Sequence, residues 1–457
     1  MASASTTTNS PAAVSASRLD ARPGMRLPLL AAAVIVVACY ACSPNFQYVE
    51  GPEASPYAGD FLQEWIGGTI VLEGDWGRFY DPAYAQSLEH DPQVTPFEWD
   101  RSRYLPIVYP PFYYLLISPL ALLPMKAAAW IWAALMIAAL AAAFWLLHRA
   151  ATRGDGVFAE CGRTTDDAPS QRRARWAAFA PWGVVAAVAF VPVIETLTSS
   201  QKGTVCLLIL TATFLLLNRQ RPFAAGLVFG LLAFKPQLTI VIAVAMLLKR
   251  QGRFVAGGAA TGATLVGLCL LLGGDVCRQY FDFASGAADY LRNAGYDLHK
   301  SHCLYGFFTL LAGGAGPWAK GMTALAAGGV VLLLVLLLRG ELRPGASRFA
   351  MQFSALVVAT ILLSPHLFTY DLTILLLPAF LLLVLIARGG ETLRHASLTA
   401  WLLLGLYAAA GVSASLAAQH SLQLTVPLLV SLLAVLAWET GAGRYARLDL
   451  SPNAASI

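Results

Sequence analysis

A-A-A-W-I-W-A-A-L-M-I-A-A-L-A-A-A-F-W-L-L, from Ala127 to Leu147, is a run of 21 residues without a single charge. As a helix, rising 1.5 Å per residue, it is long enough to cross a hydrocarbon core of roughly 30 Å. In hydrocarbon every backbone amide and carbonyl must be satisfied inside the protein, which leaves the helix as the reading of so long a run. Similar runs recur along nearly all of the 457 residues, of which 57% are hydrophobic and 12% charged; a soluble domain carries roughly 25% charge. The sequence therefore predicts an all-α polytopic membrane protein, with no alternating strands of the outer-membrane barrel kind.

Toward the C-terminus the next loop carries Arg149, Arg153, Arg163, Arg172, Arg173 and Arg175, a density that places it on the cytoplasmic side. Candidate spans follow near 176–195, 203–218, 222–234, 236–248, 253–273, 319–338, 347–363, 371–387, 396–416 and 422–438. With Leu27–Ala41 and Ala127–Leu147 this makes about 12 transmembrane helices. Alternate loops then hold the cations and fall inside: Arg219 and Arg221; Lys249, Arg250 and Arg253; Arg339, Arg343 and Arg348; Arg388 and Arg394; Arg444 and Arg447. The spans 222–234 and 236–248 are short, so they are tilted or form one broken pair around Lys235.

Toward the N-terminus, Pro110, Pro111, Pro119 and Pro124 break Tyr109–Pro124 into an interfacial or re-entrant piece, since each proline removes a backbone donor and disturbs the preceding turn. A first external loop, 44–106, is too long for a connector and should hold structure of its own. Within it lies Y-A-G-D-F-L-Q-E-W-I-G-G-T-I-V-L-E-G-D-W-G-R-F-Y-D, Tyr57 to Asp81: an acid beyond a membrane exit, a helical run, a Gly-rich break and a polar-aromatic ending. Phe61, Trp65, Ile66, Thr69, Ile70 and Leu72 fall on one side of that helix, against Gln63, Glu64 and Glu73. This pattern fits a helix lying on the membrane surface or a short helix packed on the loop. Residues 1–26 read as a disordered cytoplasmic tail and 441–457 as a second one, around a membrane domain at 27–440. Leu27–Ala41 reads as an uncleaved first helix or a signal peptide, V-V-A-C at Val36 to Cys39 having the look of a cleavage site.

A second large external loop, 274–318, and the segments S-S-Q-K-G (Ser199–Gly203), K-P-Q (Lys235–Gln237) and S-P-H-L-F-T-Y-D (Ser364–Asp371) share the face of Asp60. The net charge of +5 sits in short loops and orients the chain, so no nucleic acid is expected as a partner. Seven cysteines show no metal-ligand spacing, and only Cys277 and Cys303 share an extramembrane segment that a disulfide could join. There is no phosphate-binding loop of the Gly-Lys-Ser type, no dinucleotide fingerprint and no His-Glu-x-x-His. No cofactor is expected and no metal site is assigned. What remains is an external inventory of acids (Asp60, Glu64, Asp75, Asp81, Glu195, Asp371), imidazoles (His302, His366), cations (Arg78, Lys202, Lys235) and aromatics (Trp65, Trp76, Tyr80, Tyr109, Tyr370). Rings that stack on sugar faces beside carboxylates that meet hydroxyls suit a carbohydrate. Asp60 is the candidate general base, in a position that equally suits the N-cap of the helix starting at Phe61. Lys235 is a candidate for a phosphate at headgroup level or a snorkelling lysine.

The D-F after the first span, Gly74-Asp75 with Phe79-Tyr80-Asp81, Y-P-P at Tyr109–Pro111, the Gln201 loop, K-P-Q at Lys235 and S-P-H at Ser364 together resemble glycosyltransferase family 87, in order over about residues 27–440. The resemblance implies a GT-C-type helical bundle with external loop helices in the plasma membrane. It also implies an inverting transfer of a sugar, mannose in many members, from a polyprenyl-phosphate-linked donor to a hydroxyl of a glycolipid or glycan acceptor on the external face. By the same resemblance Asp60 is the base and His366 a catalytic relay, while Lys235 and Lys202 face the donor phosphate; Arg78, from the external cations, is a further candidate for that phosphate. Glu64, Trp65, Tyr80, Asp81, Tyr109, Gln201, Tyr370 and Asp371 line the sugar and acceptor site. One departure is S-S-Q-K-G, where the family more often has Gly-Gln and a small polar residue. A transporter or flippase of lipid-linked sugars would also need many spans, but it would show internal repeats and mid-span charges; a membrane scaffold would tolerate loss of the acid at 60.

Overall fold

The computed structural model describes residues 23–47, 54–158, 181–293, 298–387 and 393–441. Among the described residues the chain is helical, with one isolated bridge between Ser301 and Phe368. The helices are α1 (Pro23–Cys42), α2 (Phe61–Glu73), α3 (Pro82–Glu89), α4 (Pro111–Ala121), α5 (Met125–Arg153), α6 (Pro181–Val188), α7 (Val191–Thr198), α8 (Gly203–Asn218), α9 (Pro222–Gly230) and α10 (Ile240–Leu248). They continue with α11 (Gly252–Leu271), α12 (Gly274–Asn293), α13 (Leu304–Leu311), α14 (Pro317–Leu337), α15 (Ser347–Leu363), α16 (Leu376–Ala387), α17 (Ala396–His420) and α18 (Thr425–Gly441).

Five segments are long and apolar enough to cross a membrane: α5, α11, α14, Thr369–Ala387 and α17; α6 and α7, bent by 63° at their junction, make a sixth if taken together. Shorter apolar helices of 10–17 residues pack among them, and the expected figure of about twelve depends on these. The chain is thus a polytopic helical membrane protein. α15 forms its centre, buried on every side from Phe349 to Leu362. The expected tails at 1–26 and 441–457 lie outside the described residues except for 23–26 and Gly441, as do Arg163, Arg172, Arg173, Arg175, Arg388, Arg444 and Arg447.

The helix ends sort by charge. At one end Arg219 pairs with Asp155 at 2.5 Å, Gln220 donates to the Pro344 carbonyl at 2.9 Å and Lys249 to that of Gly340 at 2.7 Å. The Arg- and Lys-bearing turns after α5, α8, α10 and α14 are therefore neighbours. Asn45 donates to the Thr198 carbonyl at 3.0 Å, which ties the exit of α1 to the turn between α7 and α8, where the polar residues gather.

Two expectations for the first external loop change. α2 does not lie on a surface: Gln63 and Glu64 are as buried as Phe61 and Ile66. Nor do Gly67 and Gly68 break it. They sit inside the helix because α4 approaches so closely that a Cβ on Gly67 would stand 2.2 Å from the Tyr114 ring, and glycine here serves close packing rather than chain freedom. The second loop is also more structured than a connector. α12 runs through its first part, and Gln279 donates to the Trp76 carbonyl at 3.3 Å while Phe283 stacks on Tyr80 at 5.8 Å. Cys277 and Cys303 are both free thiols.

The break expected at Lys235 is present. α9 ends in a 3-10 turn, Leu231–Phe234, and a second turn, Pro236–Leu238, precedes α10. Lys235 between them has φ −125° and ψ 73°, as a residue before proline is driven out of the helical region.

Away from this region, α3 and the chain to Arg103 enclose Glu89. It is fully buried, its two carboxylate oxygens accept from the Leu105 amide at 3.2 and 3.0 Å, and burial pushes its carboxyl up to about 8. A carboxyl that binds its proton more tightly folded than unfolded stabilises the fold at low pH, and that stability is lost as pH rises toward the folded value. The loop should therefore lose stability between about pH 4.5 and 8, and Glu89→Gln, which mimics the protonated acid, should flatten the dependence. Thermal unfolding or limited proteolysis of this loop across that range reads the difference.

Candidate active site

Asp60 stands at the N-cap position of α2 but does not cap it: no helix amide is bonded to its side chain, and its φ and ψ, −68° and −5°, are already helical. The carboxylate instead accepts, through Oδ2, a hydrogen bond from Gln201 Nε2. One turn further along α2, Glu64 is ion-paired through Oε1 with Lys202 Nζ. Consecutive residues at the head of α8 thus hold two carboxylates spaced four apart on α2, as residues on one helical face must be.

The turn that carries Gln201 and Lys202 is anchored on three sides. Trp132 Nε1 donates to the Ser200 carbonyl at 2.9 Å, the Gln201 amide donates to the Thr196 carbonyl at 2.8 Å, and Asn45 bonds the carbonyl of Thr198. Gly203 lets α8 begin against the next wall, since a Cβ there would stand 2.6 Å from the Tyr370 carbonyl. Ser200 has φ +55°, in the left-handed region that costs an L-residue about 1 kcal/mol or more and glycine almost nothing. Ser200 therefore holds a backbone conformation that glycine would adopt at lower cost.

Lys202, 1% exposed, also donates to the Tyr109 hydroxyl at 2.9 Å and lies 4.2 Å from the centre of that ring, a cation–π contact. The Tyr113 hydroxyl lies beside Glu64. A second ion pair adjoins the first: Lys235 Nζ bonds Asp371 Oδ1 at 2.5 Å and lies 5.0 Å over the Tyr370 ring. Asp371 Oδ2 also accepts from the Phe368 amide at 3.4 Å. His366, half-buried, is close enough to feel both members of this pair, and burial brings its imidazole down to about 4, so the ring is neutral at physiological pH. His302 holds the neighbouring segment: its amide donates to the Leu367 carbonyl at 2.9 Å, and its ring nitrogens meet Thr425 at 2.6 Å and Thr369 at 3.1 Å.

Burial pushes the Asp60 carboxyl above the usual range, held back by the Lys202 charge, then the Gln201 hydrogen bond, then the Lys235 charge, with Lys300 acting more weakly from an exposed turn. Glu64 is raised by burial and lowered by Lys202, with Asp60 raising it again. Gln63 Oε1, Gln201 Oε1 and Ser200 Oγ are buried without a protein partner; buried polar atoms in that state mark places where ligand or water completes the hydrogen bonding. Among the described residues, no three His, Cys, Asp or Glu side chains converge as metal ligands.

Of the residues singled out in the sequence, Asp60, Glu64, Tyr109, Gln201, Lys202, Lys235, His366, Tyr370 and Asp371 come together. Trp65 and Tyr80 stand behind them, donating to the carbonyls of Leu123 at 3.1 Å and Tyr109 at 2.6 Å. Arg78 and Asp81 form an exposed pair at 3.8 Å. The Arg78 guanidinium lies over Tyr84, and Asp81 caps α3 through the Ala83 and Tyr84 amides, so neither joins the cluster. Sequence reasoning missed Tyr113 and the anchors Trp132 and Asn45. Trp132 carried a signal, because a buried indole N–H in an apolar span needs an acceptor; Asn45 carried none.

A family profile described as Glycosyltransferase family 87 matches residues 107–365. The polyprenol-phosphate-mannose-dependent alpha-(1-2)-phosphatidylinositol pentamannoside mannosyltransferase of Mycolicibacterium smegmatis is 29% identical over 243 residues, covering 52% of this chain and 50% of that one. The chain thus spans about half the length of the curated relative it matches. No solved structure matches. Tyr109, Gln201, Lys202 and Lys235 lie inside the matched region; Asp60 and Glu64, which they contact or face, precede it.

The strain at Ser200 is open to test. Ser200→Gly removes both the left-handed cost and a buried unpartnered hydroxyl, and should raise the unfolding free energy by about 1 kcal/mol. The thermal midpoint of the detergent-solubilised protein reads this; a fall would show that the hydroxyl contributes more than the backbone costs.

Proposed function

Because the chain belongs to glycosyltransferase family 87, we propose that it moves a sugar, mannose by analogy with the mycobacterial relative, from a polyprenyl-phosphate donor to a hydroxyl of an envelope glycolipid or glycan. The reaction is a single displacement. The acceptor oxygen attacks the anomeric carbon, the bond from that carbon to the phosphate oxygen breaks, the configuration inverts and polyprenyl phosphate leaves. Asp60 takes the acceptor proton. The observation that carries this reading is its carboxylate, half-buried at the head of α2, with one oxygen held by the neutral amide of Gln201 and the other uncommitted. A base whose proton affinity is raised toward neutrality is the more effective one.

The leaving phosphate needs a cation, and Lys235 is the better placed of the lysines, at an unwound break beside His366 and Tyr370. It would share its ammonium between Asp371 and the phosphate, a charge-assisted contact. His366, neutral, can pass a proton or donate a hydrogen bond there. Lys202 is enclosed by Glu64 and Tyr109, and Arg78 stands apart. The lipid tail of the donor stays in the bilayer, which suits a site at helix ends. On the same reading the chain sits in the plasma membrane with its termini cytoplasmic and this site external, as the clustering of Arg and Lys turns at the other end supports.

Transfer of labelled sugar from a polyprenyl-phosphate donor in proteoliposomes tests the assignment. Asp60→Asn should lower the rate by about 100-fold or more with little change in donor affinity; an amide variant as active as wild type removes the base. Lys235→Ala leaves Asp371 buried and unpaired and should lower stability as well; in the protein that folds it should chiefly raise the KM for the donor. The rate should climb through an acidic limb lying above the ordinary aspartate range, because the base works only deprotonated and burial raises the pH at which it loses its proton.

A further inference from the structure

Three carboxylates, Asp60, Glu64 and Asp371, gather in this cluster with two buried ammoniums, Lys202 and Lys235. Lys235 is taken by Asp371. Lys202 faces two acids four residues apart on one side of α2, and it pairs with Glu64 while its neighbour Gln201 bonds Asp60. That division has a chemical consequence. An aspartate bonded directly to an ammonium is a weak base, since the pair must separate before the carboxylate can keep a proton. An aspartate bonded to an amide has no such competitor.

We propose that Glu64 is a positioning residue for Asp60: by holding the Lys202 ammonium one helical turn away, it leaves the carboxylate of Asp60 to the neutral amide of Gln201 and free to receive the acceptor proton. This rests on Asp60 being the base. The groups facing Asp60 are Lys202 and Gln201 from the head of α8, Lys235 from the break before α10, Lys300 from the turn before α13, Tyr109 from the chain before α4 and Glu64 from its own helix. Of the cations, Lys202 acts on it most strongly. Glu64 is the residue that occupies that cation, and the Tyr109 hydroxyl, 2.9 Å from Nζ, helps to fix it on the Glu64 side.

The test is the pH profile of sugar transfer in proteoliposomes for wild type, Glu64→Gln, Glu64→Gln with Lys202→Met, and Asp60→Asn. With Glu64 neutral, the Lys202 ammonium turns to Asp60. The acidic limb should then move down by about one pH unit or more, and the plateau rate should fall severalfold while the donor KM changes little. Removing the lysine as well should return the limb and most of the rate, a rescue that a merely structural pair would not give. An unmoved limb in folded Glu64→Gln overturns the proposal. So does a folded double variant that stays slow, which would give Glu64 a direct role, or a double variant that fails to fold, which would make the pair a requirement of the fold. If Glu64→Gln alone does not fold, the double variant decides. An active Asp60→Asn fails the underlying assignment instead, and is read separately.

Discussion

Two lysines with almost no solvent contact are the constraint from which the rest of the structure follows. Removing an ammonium from water costs several kcal/mol, recovered only where a carboxylate and further donors or acceptors meet it in good geometry. Lys202 and Lys235 are 1% and 3% exposed. Each has its carboxylate and each lies over a tyrosine ring. To bring those partners together, α2 must enter the body of the protein, α8 must begin at its side, and the segment before α16 must unwind to aim Asp371. Losing one partner of such a pair typically costs about 3–5 kcal/mol, because the other is left charged and buried. The pairs therefore hold the elements that carry them in register.

Regular helices cannot do this alone. A continuous span exposes no backbone and aims side chains only sideways, so the polar cluster sits where spans are interrupted. The interruptions are the bend between α6 and α7, the turn at Ser199–Lys202, the break at Lys235 and the 3-10 turn at Thr369–Leu375. Irregular backbone at membrane depth is tolerated only where protein or a polar cavity satisfies it. Here the satisfying groups are visible. Thr196 Oγ1 contacts the Tyr370 carbonyl and Thr373 Oγ1, both at 3.0 Å, and His302 bridges Thr369 and Thr425. The same hydrogen bonds that satisfy the breaks hold the ionisable groups still.

Much of this was legible in the sequence because hydropathy and the placement of Arg are one-dimensional signals. They separated helices from loops, put Asp60, Lys202, Lys235 and Asp371 at one end, and marked the interruption at K-P-Q through the chemistry of proline. What they could not carry was burial of the polar side of α2. Periodicity treats Gln63 and Glu64 as water-facing, and for Glu64 a partner 138 positions away, Lys202, reverses that. The same blindness made Gly67–Gly68 read as a break, when Tyr114 against Gly67 and Ser118 against Gly68, both on α4, leave little room for a Cβ. Asp60 looked equally like a cap or a base; its side chain bonds no helix amide and accepts instead from Gln201, 141 positions away, which removes the cap and leaves the base as the proposal.

That bond also bears on how binding and chemistry would be linked. With Lys202 committed to Glu64 and Lys235 to Asp371, Asp60 is the one carboxylate of the three whose direct partner is neutral. It is therefore the one that can take up a proton without first leaving an ammonium if negative charge is added nearby. On the proposed reading a phosphate-linked donor would add that charge. By drawing the Lys235 ammonium toward itself, the phosphate would also weaken a cation that now lowers the proton affinity of Asp60. Both effects act in the same direction, so on that reading an occupied donor site would make the carboxylate a stronger base than an empty one. Donor binding would thereby be coupled, on the proposed reading, to the strength of the base through two paired lysines and one amide-bonded aspartate.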